Sequence, residues 1–179
     1  MNSGPDSTLR CEICPRGCLL REDRYGVCGA RTLTLESGRP VNRHRDPEHY
    51  SALALDPIEK KPLARFRPGS LILSVGGLGC NLSCPWCQND DIAHPDGHDR
   101  LLWPHARHLS AEALVRQAVD TRRQGNIGIC FTYNEPLLNV EQIEQVFRLA
   151  HAEGLATALV TNGCFNESTI RRIAPLTDA

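Results

Sequence analysis

Long apolar runs are absent from this chain of 179 residues: nowhere do 18 apolar residues follow one another. That excludes a transmembrane helix, and the opening MNSGPDSTLRCEIC has none of the apolar stretch of a secretory signal. Net charge is nearly absent too. Twenty Lys and Arg stand against 21 Asp and Glu, leaving −1 and a pI of about 6.6. Such a balance supplies no general electrostatic pull toward nucleic acid or an acidic membrane surface. Internal repeats and low-complexity tracts are also missing. The expected location is the cytoplasm, where thiols stay reduced. In that setting the nine cysteines point to metal or redox chemistry more than to disulfides. They are grouped: Cys11, Cys14, Cys18 and Cys28, then Cys80, Cys84 and Cys87, with only Cys130 and Cys164 alone.

Two textures divide the chain. Residues 1–67 are rich in Arg, Pro and short polar pieces, with a hairpin expected over 32–41 about the turn Glu36-Ser37-Gly38-Arg39. This part is read as a Cys-rich segment with a metal site. The charge cluster RHRDPEH (43–49) reads as solvated surface, and Lys60 and Lys61 as surface charges. From residue 68 onward apolar runs alternate with amphipathic stretches. LILSV (71–75), IGICFT (127–132) and ATALVT (156–161) are continuous enough for strands buried on both faces. Between them a helix is expected over 110–124, capped by Ser110, and another from Asn139 to about Gly154, with Gln142 completing a capping box. A short helix over 167–173 ends at Pro175. Alternation of this kind predicts an α/β fold of right-handed parallel βα units. Three polar loops follow the strands: GGLGCNLSCPWCQN, YNEP and TNG. In parallel α/β architectures such loops gather at one face, so residues 68–179 are expected to carry one composite site.

The spacing C-x3-C-x2-C at Cys80, Cys84 and Cys87 supplies three thiolates where tetrahedral metal sites want four. Zinc with a fourth ligand such as Cys130 or a histidine is one reading. A four-ligand electron-transfer cluster is another. A [4Fe–4S] cluster held by three thiolates, its fourth iron open to an external chelate, is the third. Short spacings and Gly76, Gly77 and Gly79 favour the third, because one loop must wrap a bulky inorganic core. Cys11, Cys14, Cys18 and Cys28 lie within 18 residues of one another and can close a second site, for zinc or for another iron–sulfur cluster. Cys130, inside an apolar run, reads as a core thiol and Cys164 as a spectator. His94 and His98 flank Pro95 and Gly97, which argues against a helical metal pair.

Cys80, Cys84 and Cys87 with Trp86 before the last cysteine, placed after the first strand of a βα series, resemble the motif of radical S-adenosylmethionine (SAM) enzymes. The resemblance implies a partial (β/α)6 barrel, a [4Fe–4S] cluster on the three cysteines, and SAM chelating the open iron through its amino and carboxylate groups. It also implies an external electron donor of flavodoxin or ferredoxin type, reductive cleavage of SAM to a 5′-deoxyadenosyl radical, and hydrogen abstraction from a substrate. YNEP stands where that superfamily carries a Gly-Gly-Glu-Pro-like segment, with Tyr133 and Asn134 in place of the glycines. The implied binders of SAM are Asn134, Glu135, Thr161 and Asn162, with Trp86 beside the adenine or packed in the core. Glu135 as a plain helix-start carboxylate and Thr161-Asn162-Gly163 as a plain turn are the structural alternatives.

A finer resemblance covers nearly the whole chain. CEICPRGC, YGVCGAR, SALALDPIEKKPL, CNLSCPWCQN and TYNEP are similar to segments of the radical enzyme of the AmmeMemoRadiSam system, itself similar to pyruvate formate-lyase activating enzyme. This implies Memo-like and AMMECR1-like proteins as partners and a glycyl radical on a protein as one product. Only three βα units can be counted before residue 179, so the barrel is expected to be truncated, with an exposed sheet edge and weak cluster binding by this chain alone. The readings that compete with the enzyme are a non-catalytic zinc-binding module and an inactive fragment.

Overall fold

The computed structural model of the chain describes residues 7–94 and 106–179, so His98 lies outside the described residues. At its centre is a four-stranded sheet in the order β10 (Ala156–Leu159), β9 (Asn126–Thr132), β7 (Leu71–Gly76) and β6 (Ala52–Pro57). β7, β9 and β10 run parallel. These are the three apolar runs, and both their faces are covered, as continuous apolar strands require. Leu73, Val75, Ile129 and Phe131 belong to the main core, together with Leu114, Ile143, Val146 and Phe147 from the helices. On the opposite face Ile72, Cys130 and Ala158 pack with Ile58, Leu63 and Phe66. β6 (Ala52–Pro57) joins β7 antiparallel; it falls in a stretch for which the sequence reading has no element.

A single turn, α1 (Asp90–Ala93), follows the cysteine loop, and the longer helices follow their caps. α2 (Ala111–Asp120) starts at Ser110, whose Oγ accepts from the Ala113 N–H at 3.2 Å. It ends earlier than expected: residues 122–124 tighten into a 3₁₀ turn closed by Gly125 at φ +98°. α3 (Val140–Ala152) buries Ile143, Val146, Phe147 and Ala150 fully, and Gly154 (φ +67°) lies two residues past it. The expected capping box is not formed. Asn139 donates to the Pro47 carbonyl and Gln142 to the Tyr50 hydroxyl, so tertiary partners outcompete the local pair. α4 (Glu167–Ile173) matches its expected bounds.

The N-terminal part is built of short pairings: β1 (Leu9–Arg10) with β2 (Leu19–Leu20), and the hairpin β3 (Arg31–Glu36) with β4 (Arg39–His44). β5 (His49–Tyr50) pairs with β8 (Arg107–His108). The main core is continuous across the change of texture near residue 67, because Ile13, Leu20, Ala30 and Leu33 share it with Phe131 and Leu137. Arg31, 1% exposed, fastens the hairpin to α3: its guanidinium is bidentate to Glu141 at 2.7 and 2.9 Å and also donates to the Leu138 carbonyl. Planar charge-assisted pairing of this kind is among the stronger polar contacts.

Two stretches expected at the surface are partly buried. In RHRDPEH, His44 is buried and the Arg45 side chain is nearly so. Lys61 is also buried, paired with Asp56 at 2.8 Å, whereas Lys60 is exposed beyond its contact with the same carboxylate. The sheet is open and no barrel is closed among the described residues. Beyond β10, Ala179 donates to the Thr157 carbonyl and accepts from the Leu159 N–H, the hydrogen-bond pattern of a parallel neighbour.

Candidate functional site

The three loops at the carboxyl ends of β7, β9 and β10 meet around one cavity of about 310 Å³. Its walls carry Cys80, Cys84 and Cys87 from the first loop, Tyr133, Asn134 and Glu135 from the second, and Thr161 and Asn162 from the third. Seven of the eight residues singled out in these loops by sequence thus come together. The exception is Trp86, 80% exposed and absent from the wall, which removes core packing as its role.

The first loop is shaped by its neighbours. Gly79 sits at φ +83°, and a Cβ there would lie 2.4 Å from the Cys28 carbonyl oxygen. No side chain fits, so the glycine lets the N-terminal segment press against the cysteine loop. Gly77 is opposite Asn134. These glycines answer to approaching protein groups, whereas the sequence reading assigned them to approach of a cluster.

Asn134 joins the first loop to the second. Its Oδ1 accepts from the Gly77 N–H at 2.8 Å and its Nδ2 donates to the Gly79 carbonyl at 3.0 Å. Asn89, two residues past Cys87, donates to the Tyr133 carbonyl at 2.9 Å. Glu135 joins the second loop to the third. The residue is 2% exposed; Oε1 accepts from the Leu137 N–H (3.0 Å) and the Thr161 hydroxyl (2.9 Å), and Oε2 from the Asn162 N–H (2.8 Å). Asn162 closes the circuit by donating to Asn81 Oδ1 at 2.9 Å, and Asn81 donates to the Cys164 carbonyl. Arg16 of the N-terminal segment donates to the Asn81 carbonyl at 2.7 Å. Asn81, Asn89 and Arg16 were missed by sequence reasoning. Asn81 and Asn89 flank the outer cysteines, and polar residues within a ligand loop are the signal that could have found them.

The electrostatics favour a cation in this cavity. Burial pushes the Cys80 thiol above its ordinary value, and the charges of Glu135, Cys84 and Cys87 push it in the same direction. Burial also raises Glu135, against the opposing hydrogen bonds from Asn162, Leu137 and Thr161. Removing these groups from water disfavours their anions until positive charge arrives. An ionised carboxylate has about four acceptor positions on two oxygens. Among the described residues three protein donors reach Glu135, two on Oε1 and one on Oε2.

Cys130 is fully buried, and burial pushes its thiol to about 12. A thiol held so far from ionisation is a poor metal ligand, and Cys130 is not part of the cavity wall. It is a core residue. In the N-terminal segment Cys11, Cys14 and Cys28 are buried and Cys18 is half-buried. Burial raises the Cys28 thiol, with further upward pressure from the charges of Cys11 and Cys14. Among the described residues no three Cys, His, Asp or Glu side chains are already gathered in ligating geometry. No helix among them is long and apolar enough to cross a membrane.

Residues 74–179 match the Radical SAM superfamily. Over 170 residues the chain is 32% identical to Uncharacterized protein MJ0808 of Methanocaldococcus jannaschii, an alignment covering 94% of this chain and 47% of that protein. The chain therefore spans about half the length of the curated relative it matches.

Proposed function

The chain belongs to the radical SAM superfamily, and on that premise we propose that the three-loop cavity holds a [4Fe–4S] cluster and SAM. One observation carries the reading. Three thiols from a single loop and a buried carboxylate that accepts twice on Oε1 and once on Oε2 line the same cavity. The donor set suits a cluster with three protein ligands, and a buried carboxylate with a single protein donor on Oε2 suits the ammonium of an amino acid. When bound, the cluster and SAM supply reductive generation of a 5′-deoxyadenosyl radical that abstracts hydrogen from substrate. Cys80, Cys84 and Cys87 are the ligands in this reading. Glu135 Oε2 receives the ammonium of SAM, with Thr161 and Asn162 held beside it. Asn134 keeps the cysteine loop and the SAM loop in fixed relation. N–H groups aimed at Cys80 Sγ, from Leu82 at 3.5 Å and Asn162 Nδ2 at 3.9 Å, stabilise its thiolate and tune the potential. An electron donor of flavodoxin or ferredoxin type completes the system.

Anaerobic reconstitution with iron and sulfide tests this. The expected protein is brown, absorbing near about 400 nm, and forms 5′-deoxyadenosine with SAM and dithionite. A colourless zinc protein would overturn the reading in favour of a binding module.

The finer assignment, to the radical enzyme of the AmmeMemoRadiSam system, rests on CEICPRGC, YGVCGAR and SALALDPIEKKPL. In it Cys11, Cys14, Cys18 and Cys28 bind a structural metal, zinc or a second iron–sulfur cluster. Residues 1–67 then form a Cys-rich segment before the core of 68–179. Contact of Gly79 with Cys28 and of Arg16 with Asn81 supports a role for that segment in holding the cysteine loop. Memo-like and AMMECR1-like proteins are the partners, and a glycine of a partner protein is the hydrogen donor. Metal content of the purified chain, with and without Cys14→Ser, tests the N-terminal site; co-purification with the two partners tests the system.

A further inference from the structure

Tyr133 has φ +74°, a backbone that a residue with a Cβ adopts only when its surroundings hold it there. The side chain is what is held. Its hydroxyl donates to Asp56 Oδ2 at 2.6 Å, and the Lys61 ammonium stands 4.9 Å from the ring centroid. Asp56 is itself fixed: Lys61 donates to Oδ2 and Lys60 to Oδ1, each at 2.8 Å. These groups come from β6 and the turn after it, on the sheet face away from the helices. Burial pushes the Tyr133 phenol up to about 12, and the Asp56 charge adds to this, so the hydroxyl stays a donor throughout the physiological range. Burial raises the Asp56 carboxyl, but the bonds from Lys60, Lys61 and Tyr133 prevail and hold it well below the usual carboxylate range.

The backbone turned by this φ makes the contacts that matter to the cavity. Tyr133 presents its carbonyl to Asn89, and the next residue places its amide between Gly77 and Gly79.

We infer that Asp56 and Lys61 act through Tyr133 as a strut that sets the second loop against the cysteine loop, making both positioning residues for the site. The importance given to those loops rests on the proposed function; the strut itself can be tested without it. A purely structural network would brace β6 and leave the loops unaffected. A strut transmits its loss to Gly77 and Glu135, whose N–H groups bond to Asn134 Oδ1 and to the Gly79 carbonyl.

Hydrogen exchange measured by mass spectrometry on the metal-free full chain separates these. In Tyr133→Phe, which removes one hydroxyl, and in Asp56→Asn, peptides covering 76–90 and 133–137 should exchange about fivefold faster, the effect of one ordinary hydrogen bond. Peptides of α3, which report global opening, should stay within about twofold. The double variant should exchange no faster than the more affected single one, because both break the same link. Unchanged loop exchange, a rise shared equally by α3, or multiplicative effects in the double variant would each overturn the strut. If Asp56→Asn fails to fold, the loop-to-α3 ratio in Tyr133→Phe decides alone. Because no cluster is present, failure here leaves the cluster reading intact, and failed reconstitution leaves the strut intact.

Discussion

Replacing Glu135 with glutamine separates its two proposed duties. The amide has the shape of the carboxylate, but one oxygen becomes an NH₂. At Oε1 that NH₂ would face two donors, Leu137 N–H and Thr161 Oγ1; at Oε2 it faces one, Asn162 N–H. Glutamine therefore puts its nitrogen at the Oε2 position. Asn162 N–H loses its acceptor, and an amide nitrogen there cannot accept from an ammonium. A hydrogen bond to a charged group contributes about 1.5–3 kcal/mol. Asn162 is an exposed residue, so the lower end is taken. About 1.5 kcal/mol corresponds to roughly 3–6 °C in melting temperature for a chain of this size. Losing about 2 kcal/mol of the bond to the SAM ammonium weakens SAM binding about 30-fold.

The assays are thermal unfolding and SAM titration of the reconstituted protein. The parent should also lose SAM affinity on acidification. Burial holds Glu135 above the ordinary carboxyl value, protonation removes the charge that the ammonium needs, and binding falls as pH drops through that raised pKa. The glutamine variant lacks this step. Parent-like SAM affinity in Glu135→Gln, or an identical pH dependence, would refute the assignment of the ammonium to Glu135.

Cys80→Ala should abolish the absorbance near about 400 nm, whereas Cys130→Ala should keep it and lose only stability, about 1 kcal/mol for a small buried deletion; visible spectra and iron analysis check both. Gly128→Ala should destabilise the chain by about 3 kcal/mol or more, because its Cβ would sit 1.9 Å from the Ala156 carbonyl oxygen and force β9 and β10 apart; soluble yield and thermal unfolding show this. Burial, with Arg31 nearby, lowers His44 to about 3. The unfolded chain, with its histidine near 6.5, takes the proton first, so stability is full above 6.5 and is lost as pH falls toward 3, by up to about 1.4 kcal/mol per pH unit. Urea unfolding between pH 7.5 and 5 should show that slope in the parent and a flatter one in His44→Gln.

The parallel strands were legible because nothing but burial on both faces explains LILSV, IGICFT and ATALVT, and the order of those strands then brings their loops together. The cysteine loop was legible because its chemistry is written in one short stretch. What sequence concealed depends on partners far along the chain. β6 is a strand because β7 offers it an edge. Asn139 and Gln142 have the pattern of a capping box, yet each serves a group 92 residues earlier. Lys61 and His44 carry the residue types of a surface, and only the fold supplies the carboxylate that neutralises one and the burial that discharges the other.

Tyr133-Asn134 stands in place of a Gly-Gly pair in the second loop, and each residue serves its position by its side chain. The first of the two positions needs φ > 0, and tyrosine provides it at +74° by anchoring its ring where glycine would rely on freedom. The second needs a group that can reach Gly77 and Gly79 together, and asparagine has both a donor and an acceptor for them. A glycine pair leaves the loop to be ordered by its ligand; here side chains order it beforehand. Preorganisation lowers the entropy lost on binding. It also makes the geometry of the cavity depend on Asp56, a residue on another strand that is not part of the cavity wall.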